Sequence, residues 1–444
     1  MKWALSILFA LSSAAHAQGV STTTTTTTTT TVVQPASEKT EETPAEVTQT
    51  APVPEVKKDF PQFEFTSYGY ISFSQRETFK TVQNLEPIVR RSMDLAEFAF
   101  EGEYLLNDSA KVEFEVEIEH GGVGTTVEFD PFEEFGEFEQ EIEKGGEIVL
   151  KEIVYKKDFK KTNTALKIGK FPLFISLGTV LSKPHRYPTI LASDLESRMI
   201  PLGWTETGVS VEQKYRGFTG RLSLVNGLNS EFFRTYSWVG GGYQRHFENM
   251  NADNLATVAS LEWGSVAKGK GVAIAQYVGD TTDNRYKVDK LKVPGEVRIT
   301  TVMGNYKWNG LGIAAEYIEG SLTNADKVSA ANATLGGLAK PKAFAPLGSK
   351  ARLESVQLSY DWEAPGLVFY VKAEHVNTFA DVKGNITKNP RYDVSRRSGG
   401  FMWMWDTAAF MKVQYSRDKT ELQGLPETYQ ANVAFGFDLS AFEK

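Results

Sequence analysis

The chain has 444 residues, with 48 Lys and Arg against 56 Asp and Glu, no cysteine and 12% aromatic residues. The net charge of −8 argues against a nucleic-acid partner, and the absence of Cys removes disulfide frameworks and thiolate metal sites from consideration. No stretch supplies the ~20 unbroken apolar residues that a spanning helix needs, which excludes a helical membrane protein.

At the N-terminus, Lys2, the apolar stretch from Trp3 to Leu11 and the Ala15-His16-Ala17 cleavage signal predict a signal peptide over 1–17, and so export. Residues 18–60 hold a Thr run, Thr22 to Thr31, and a Pro-, Glu- and Thr-rich stretch. With so little to bury, this segment reads as a disordered periplasmic tail. The remainder, 61–444, shows no second linker and reads as one outer-membrane unit.

From Phe65 onward, runs of about ten residues alternate with period two, the length a tilted membrane strand needs. In Lys111 to His120, Val112, Phe114, Val116 and Ile118 share one face and Glu113, Glu115, Glu117 and Glu119 the other, which no amphipathic helix could arrange. Predicted strands cover 65–79, 93–106, 110–120, 147–157, 163–170, 204–215, 218–226, 253–264, 271–279, 298–308, 311–319, 352–362, 367–378, 395–405, 407–418 and 428–438. Alternation is least regular in 147–157 and 271–279. Tight connections at Asn107-Asp108, Arg216-Gly217, Asn309-Gly310, Glu363 to Gly366 and Asp406 alternate with long gaps, the first at 80–92. The reading is an all-β, closed antiparallel up-and-down transmembrane barrel of about 16 strands in the outer membrane of a Gram-negative bacterium. Short turns are expected on the periplasmic side and long loops outside. Trp308, Trp362, Trp403 and Trp405 sit at turn ends, where an interfacial girdle forms.

In such a pore the chemistry is electrostatic filtering by lumen-facing charge. Glu97, Glu101, Glu103, Glu113, Glu115, Glu117 and Glu119 form the expected acidic wall of the lumen. Arg76, Lys167, Arg221, Lys372 and Lys412, with Lys214 and with Lys183, His185, Arg186 and Arg198 from the loop after the fifth strand, are the expected basic counterparts, setting up a transverse field. The acidic, Phe-rich loop from Gly121 to Gly146 reads as a solvated surface loop. No catalytic site, metal site or cofactor is predicted. In particular, no Ser accompanies His375 on its strand, as a surface hydrolase would require. The reading is a passive channel for small hydrophilic solutes or ions, cation-preferring, embedded among outer-membrane lipid and lipopolysaccharide. The alternative is a non-conducting barrel, plugged by its loops, with a structural, adhesin or tethering role.

Three stretches resemble the phosphate-selective porin O and P family: Arg90 to Gly102, Leu150 to Tyr155 followed by Leu166 to Pro172, and Leu224-Val225-Asn226-Gly227. The resemblance implies a sixteen-stranded, trimeric pore whose loop after the fifth strand folds inward to narrow it. It does not carry phosphate selectivity across, because no ladder of Arg and Lys lines one strand.

Overall fold

The computed structural model describes residues 60–122, 147–243, 250–286, 290–335, 341–363 and 366–442. The predicted signal peptide, the predicted tail up to residue 59 and the acidic, Phe-rich stretch from 123 to 146 lie outside the described residues.

Sixteen strands follow one another along the chain. They are β1 (Gln62–Thr81), β2 (Asn84–Asn107), β3 (Ala110–Glu119), β4 (Glu147–Phe159), β5 (Thr164–Pro172), β6 (Thr205–Tyr215), β7 (Phe218–Asn226) and β8 (Leu255–Ser265). The second half comprises β9 (Lys270–Asp280), β10 (Glu296–Trp308), β11 (Leu311–Leu322), β12 (Lys350–Trp362), β13 (Leu367–Asp381), β14 (Asp393–Met404), β15 (Ala409–Thr420) and β16 (Thr428–Asp438). Each pairs antiparallel with its neighbours, and β16 closes on β1 from Tyr68↔Asp438 to Arg76↔Gln430. Closure satisfies every edge group of the belt internally, the condition for a sheet to cross lipid. Every predicted strand has its counterpart.

Two-residue turns with successive left-handed residues join several pairs: Asn309 (φ 47) with Gly310 (φ 79), and Arg216 (φ 48) with Gly217 (φ 83). Such turns match the twist of the flanking strands. The outer surface is apolar where the alternation predicts it. On β12, Val356, Leu358, Tyr360 and Trp362 are exposed while Ala351, Leu353 and Ser355 are buried, and Trp308, Trp362, Trp403 and Trp405 are exposed at the turn ends. A ring of outward aliphatic and aromatic side chains on a closed barrel is the surface that hydrocarbon covers. The molecule is an outer-membrane barrel.

Three features depart from the expected pattern. The gap at 80–92 is no long loop: β1 and β2 run on as a hairpin to Thr81↔Asn84, held by Arg91 Nε donating to Gln75 (3.0 Å) and by Ser74 and Ser92 (2.6 Å). The irregular stretch 147–157 contains a β-bulge, since Glu115 pairs with Glu152 but Val116 with Leu150. The extra residue, Lys151, turns inward beside Glu152. Finally, β9 to β11 carry many apolar residues on the inner face as well as the outer. Their inward residues, among them Ala273, Ala275, Tyr277, Val297, Ile299, Met303 and Ile318, pack against Met199, Ile200, Trp204, Leu228, Phe233, Trp238 and Val239 from two long connections. One side of the barrel interior is thus filled by an apolar plug, which is why alternation is blurred in 271–279. Trp204 and Trp238 are 0% and 1% exposed, and Trp238 Nε1 donates to the Gly348 carbonyl (2.9 Å).

Candidate functional site

The connection between β5 and β6, 173–204, crosses the interior and is tied to the far wall residue by residue. Near its start, Phe174 lies under the Arg221 guanidinium of β7 (4.1 Å). The Leu177 amide donates to Glu316 of β11 (2.5 Å). Lys183 reaches Glu101 of β2 and lies over the Tyr68 ring, and His185 pairs with Asp438 of β16 (2.7 Å). Ile190 donates to Gln414 of β15 (3.1 Å), and Lys372 of β13 donates to the Ala192 carbonyl (3.3 Å). Asp194 meets Arg396 of β14 (3.2 Å), and Arg198 meets Asp418 of β15 (3.8 Å). The inward course that the resemblance implies for this connection is what the structure has.

The glutamates of β2 and β3 face the interior, but within the acidic wall they meet more lysines than expected. Lys111 bridges Glu103 (2.6 Å) and Glu113 (2.7 Å), and Glu113 also has Lys156 and Lys167 at 3.7 Å each. The bulge residue Lys151 serves Glu117 (3.1 Å), Glu115 (3.4 Å) and Glu97 (3.8 Å), and Tyr68 donates to Glu115 (2.9 Å). Glu119 stands across from Glu97 in register. Lys111, Lys151 and Lys156 were missed because their positions in the alternation do not reveal which neighbours they reach. Only the bulge brings Lys151 to the glutamates.

The expected basic residues fall into separate groups rather than one opposing wall. Lys167 and Lys183 belong to the acidic side, and Arg221 pairs with Glu212 (3.0 Å) and Glu262 (2.8 Å) on β6 and β8. Lys214 is exposed and pairs with Glu212 (3.3 Å). Lys372 is buried against Glu374 (2.9 Å). Lys412 is only 1% exposed, covered by the Tyr187 ring at 3.7 Å, so it does not line water as expected. Arg186 lines a narrow cleft with Lys372 and Glu316. A cluster does form around Arg198, with Arg396 binding Asp418 through two hydrogen bonds (2.6 and 2.7 Å). Burial, with Arg396 and Arg76 nearby, brings Arg198 down to about 10, so it stays charged at neutral pH. Arg396 and its aspartates escaped the sequence reading because the partner Asp194 is supplied by the docked loop.

Glu196, in the same loop, accepts hydrogen bonds from Ser176 Oγ and the Gly178 amide (3.1 Å), with Lys372 and Glu316 facing it. Burial pushes its carboxyl up to about 7 from an ordinary 4.5. A raised carboxyl favours the docked loop at low pH, and that contribution is lost as pH rises through about 7. Open-channel current noise is therefore expected to fall between pH 8 and pH 5, and Glu196→Gln to flatten that dependence. A dependence unchanged in E196Q would contradict the assignment.

Beneath the loop, towards the short turns of β2–β3 and β6–β7, lies a cavity of about 680 Å³. Seven carboxylates line it, Glu64, Glu101, Glu103, Glu113, Glu115, Glu152 and Glu212, against three cations, Lys167, Lys183 and Arg221. On the outer surface, His375 bonds Asp393 (2.7 Å) and does have a Ser opposite it, Ser395 on the neighbouring strand. No hydrogen bond joins Ser395 to His375, so the pair lacks the contact that nucleophile activation needs.

Among solved structures, the chain resembles the outer membrane channel DcaP of Acinetobacter baumannii at 9% identity and a TM-score of 0.50, over 85% of this chain and 96% of that one. It also resembles Salmonella typhi OmpF, solved in complex with daunomycin, at 12% identity and a TM-score of 0.50, over 85% of this chain and 98% of that one. No family model matches the sequence, and no curated protein does. The fold class is that of outer-membrane porins and channels.

Proposed function

We propose that the chain is a diffusion channel for small hydrophilic solutes and ions, with a preference for cations. The observation that carries this reading is the excess of carboxylates around the large cavity under the inward loop, seven against three lining cations, which Lys111, Lys151 and Lys156 behind them reduce without removing. Rings of acidic side chains attract cations and repel anions from a narrow aqueous path. The reversal potential across a planar bilayer in a tenfold KCl gradient tests it. Cation preference is expected, and replacing Glu113, Glu115 and Glu117 by Gln should lower the cation-to-anion permeability ratio by about twofold or more. Anion selectivity of the unaltered channel would overturn the reading.

The finer attributes belong to the same proposal. Membership of the phosphate-selective porin O and P group rests on the three similar stretches, and trimeric assembly follows from that likeness. Long loops facing outward, an N-terminal signal peptide over 1–17, a periplasmic tail over 18–60 and the absence of enzymatic activity complete it. Contact with lipopolysaccharide is supported by Arg397 and Arg417, exposed and directly opposed on the outer face of β14 and β15. A second reading, the non-conducting barrel, is favoured by the apolar plug, and the absence of stable channel steps would establish it.

A further inference from the structure

The cavity under the loop has a wall that ion filtering does not use. One side is built by the inward loop from the half-buried Phe174 and Val180, and the other by charged and hydroxyl side chains of the strands. A purely aqueous passage gains nothing from apolar atoms facing water, whereas a ligand with a hydrocarbon body gains free energy by covering them.

The polar side offers a ligand a carboxylate and a hydroxyl. Glu152 is set into the lumen by the bulge beside Lys151 and, like the exposed Glu64, is within 4.0 Å of no cation, whereas Glu101, Glu103, Glu113, Glu115 and Glu212 all are. Thr66 on β1 is 9% exposed, and its Oγ1 has no hydrogen-bond partner although it borders the same cavity. A buried hydroxyl without a partner is costly and invites one from a ligand. The volume, about 680 Å³, is within the range of small-molecule sites.

We propose that this cavity is a binding subsite for small organic ammonium compounds: the apolar or aromatic body lies against Phe174 and Val180, the ammonium pairs with Glu152, and Thr66 offers the hydroxyl contact. The inference deepens the cation-channel reading by naming a class of solute, and it fails separately from it, because binding can be measured without conduction.

The test is calorimetric titration of the detergent-solubilised barrel with 2-phenylethylammonium, and with the neutral 2-phenylethanol and the anionic 3-phenylpropionate as comparison probes. The ammonium is expected to bind at least about tenfold more tightly than the alcohol, a difference the size of one charge-assisted hydrogen bond, and the anion not at all. Glu152→Gln should remove the advantage of the ammonium while leaving the alcohol unchanged. Thr66→Val should weaken both amine and alcohol. Glu119→Gln, which removes the same charge from β3 outside the cavity, should change none of them. Equal binding of ammonium and alcohol, or equal losses in E152Q and E119Q, would overturn the proposal. Binding without channel steps would instead refute conduction and leave the subsite standing.

Discussion

Trp238→Ala is expected to cost about 3–5 kcal/mol, the range for emptying an aromatic site in a packed core, and to loosen the inward loop. The indole is 1% exposed, its Nε1 is committed to the Gly348 carbonyl, and its ring packs so closely on Gly320 of β11 that a Cβ there would collide with it. Met199, from the loop, reaches the same glycine. Removing the ring therefore opens a void between the loop and the wall, one the rigid strands cannot collapse to fill. Thermal unfolding in detergent should shift downward, and single-channel records should become noisier with a larger mean conductance. Unchanged conductance and melting together would show that the plug is not what seats the loop.

Arg396→Met should be comparably damaging, by about 3–5 kcal/mol, because it leaves buried carboxylates behind rather than a void. The guanidinium holds Asp418 through two hydrogen bonds and Asp194 at 3.2 Å, joining strand to loop. Without it, Asp418 keeps Arg198 at 3.8 Å and the charge of Arg76 nearby, while Asp194 retains the Gln414 amide (2.9 Å). The double variant Arg396→Met with Asp418→Leu should recover much of the loss, since replacing a buried pair by apolar side chains is often neutral. Melting temperatures of the two variants decide the point. A double variant no more stable than the single one would locate the damage elsewhere.

The architecture was legible because the membrane imposes period two on every strand with oil on one side and water on the other. β3 is the plain case, with Glu115 and Glu117 buried inside and Val112 and Phe114 outside. Legibility ended where that asymmetry ended. Along β9, apolar residues face lipid and plug alike, so alternation carries no sign, and in β4 a bulge inverts the phase after Leu150. The candidate site was readable as far as composition of a face goes, which identified the glutamates. Their compensation by Lys151 depends on the β4 bulge, and the burial of Lys412 under Tyr187 and the Arg396 cluster depend on where a 32-residue connection (173–204) docks; period two says nothing of either.

Beyond Arg76, the β1 backbone ladders with β2 alone. The last rung to β16 is Arg76↔Gln430 and the last to β3 is Glu97↔Glu119, yet the hairpin climbs on through Glu77↔Val89 and Phe79↔Pro87 to its tip. Among the described residues this ribbon has no strand on either flank, so it stands above the rim like a mast. Its sequence is therefore released from the two constraints that govern the rest of the barrel, sealing against lipid and lining the interior, and it is here that such a protein can change its face to the surroundings without altering what it admits.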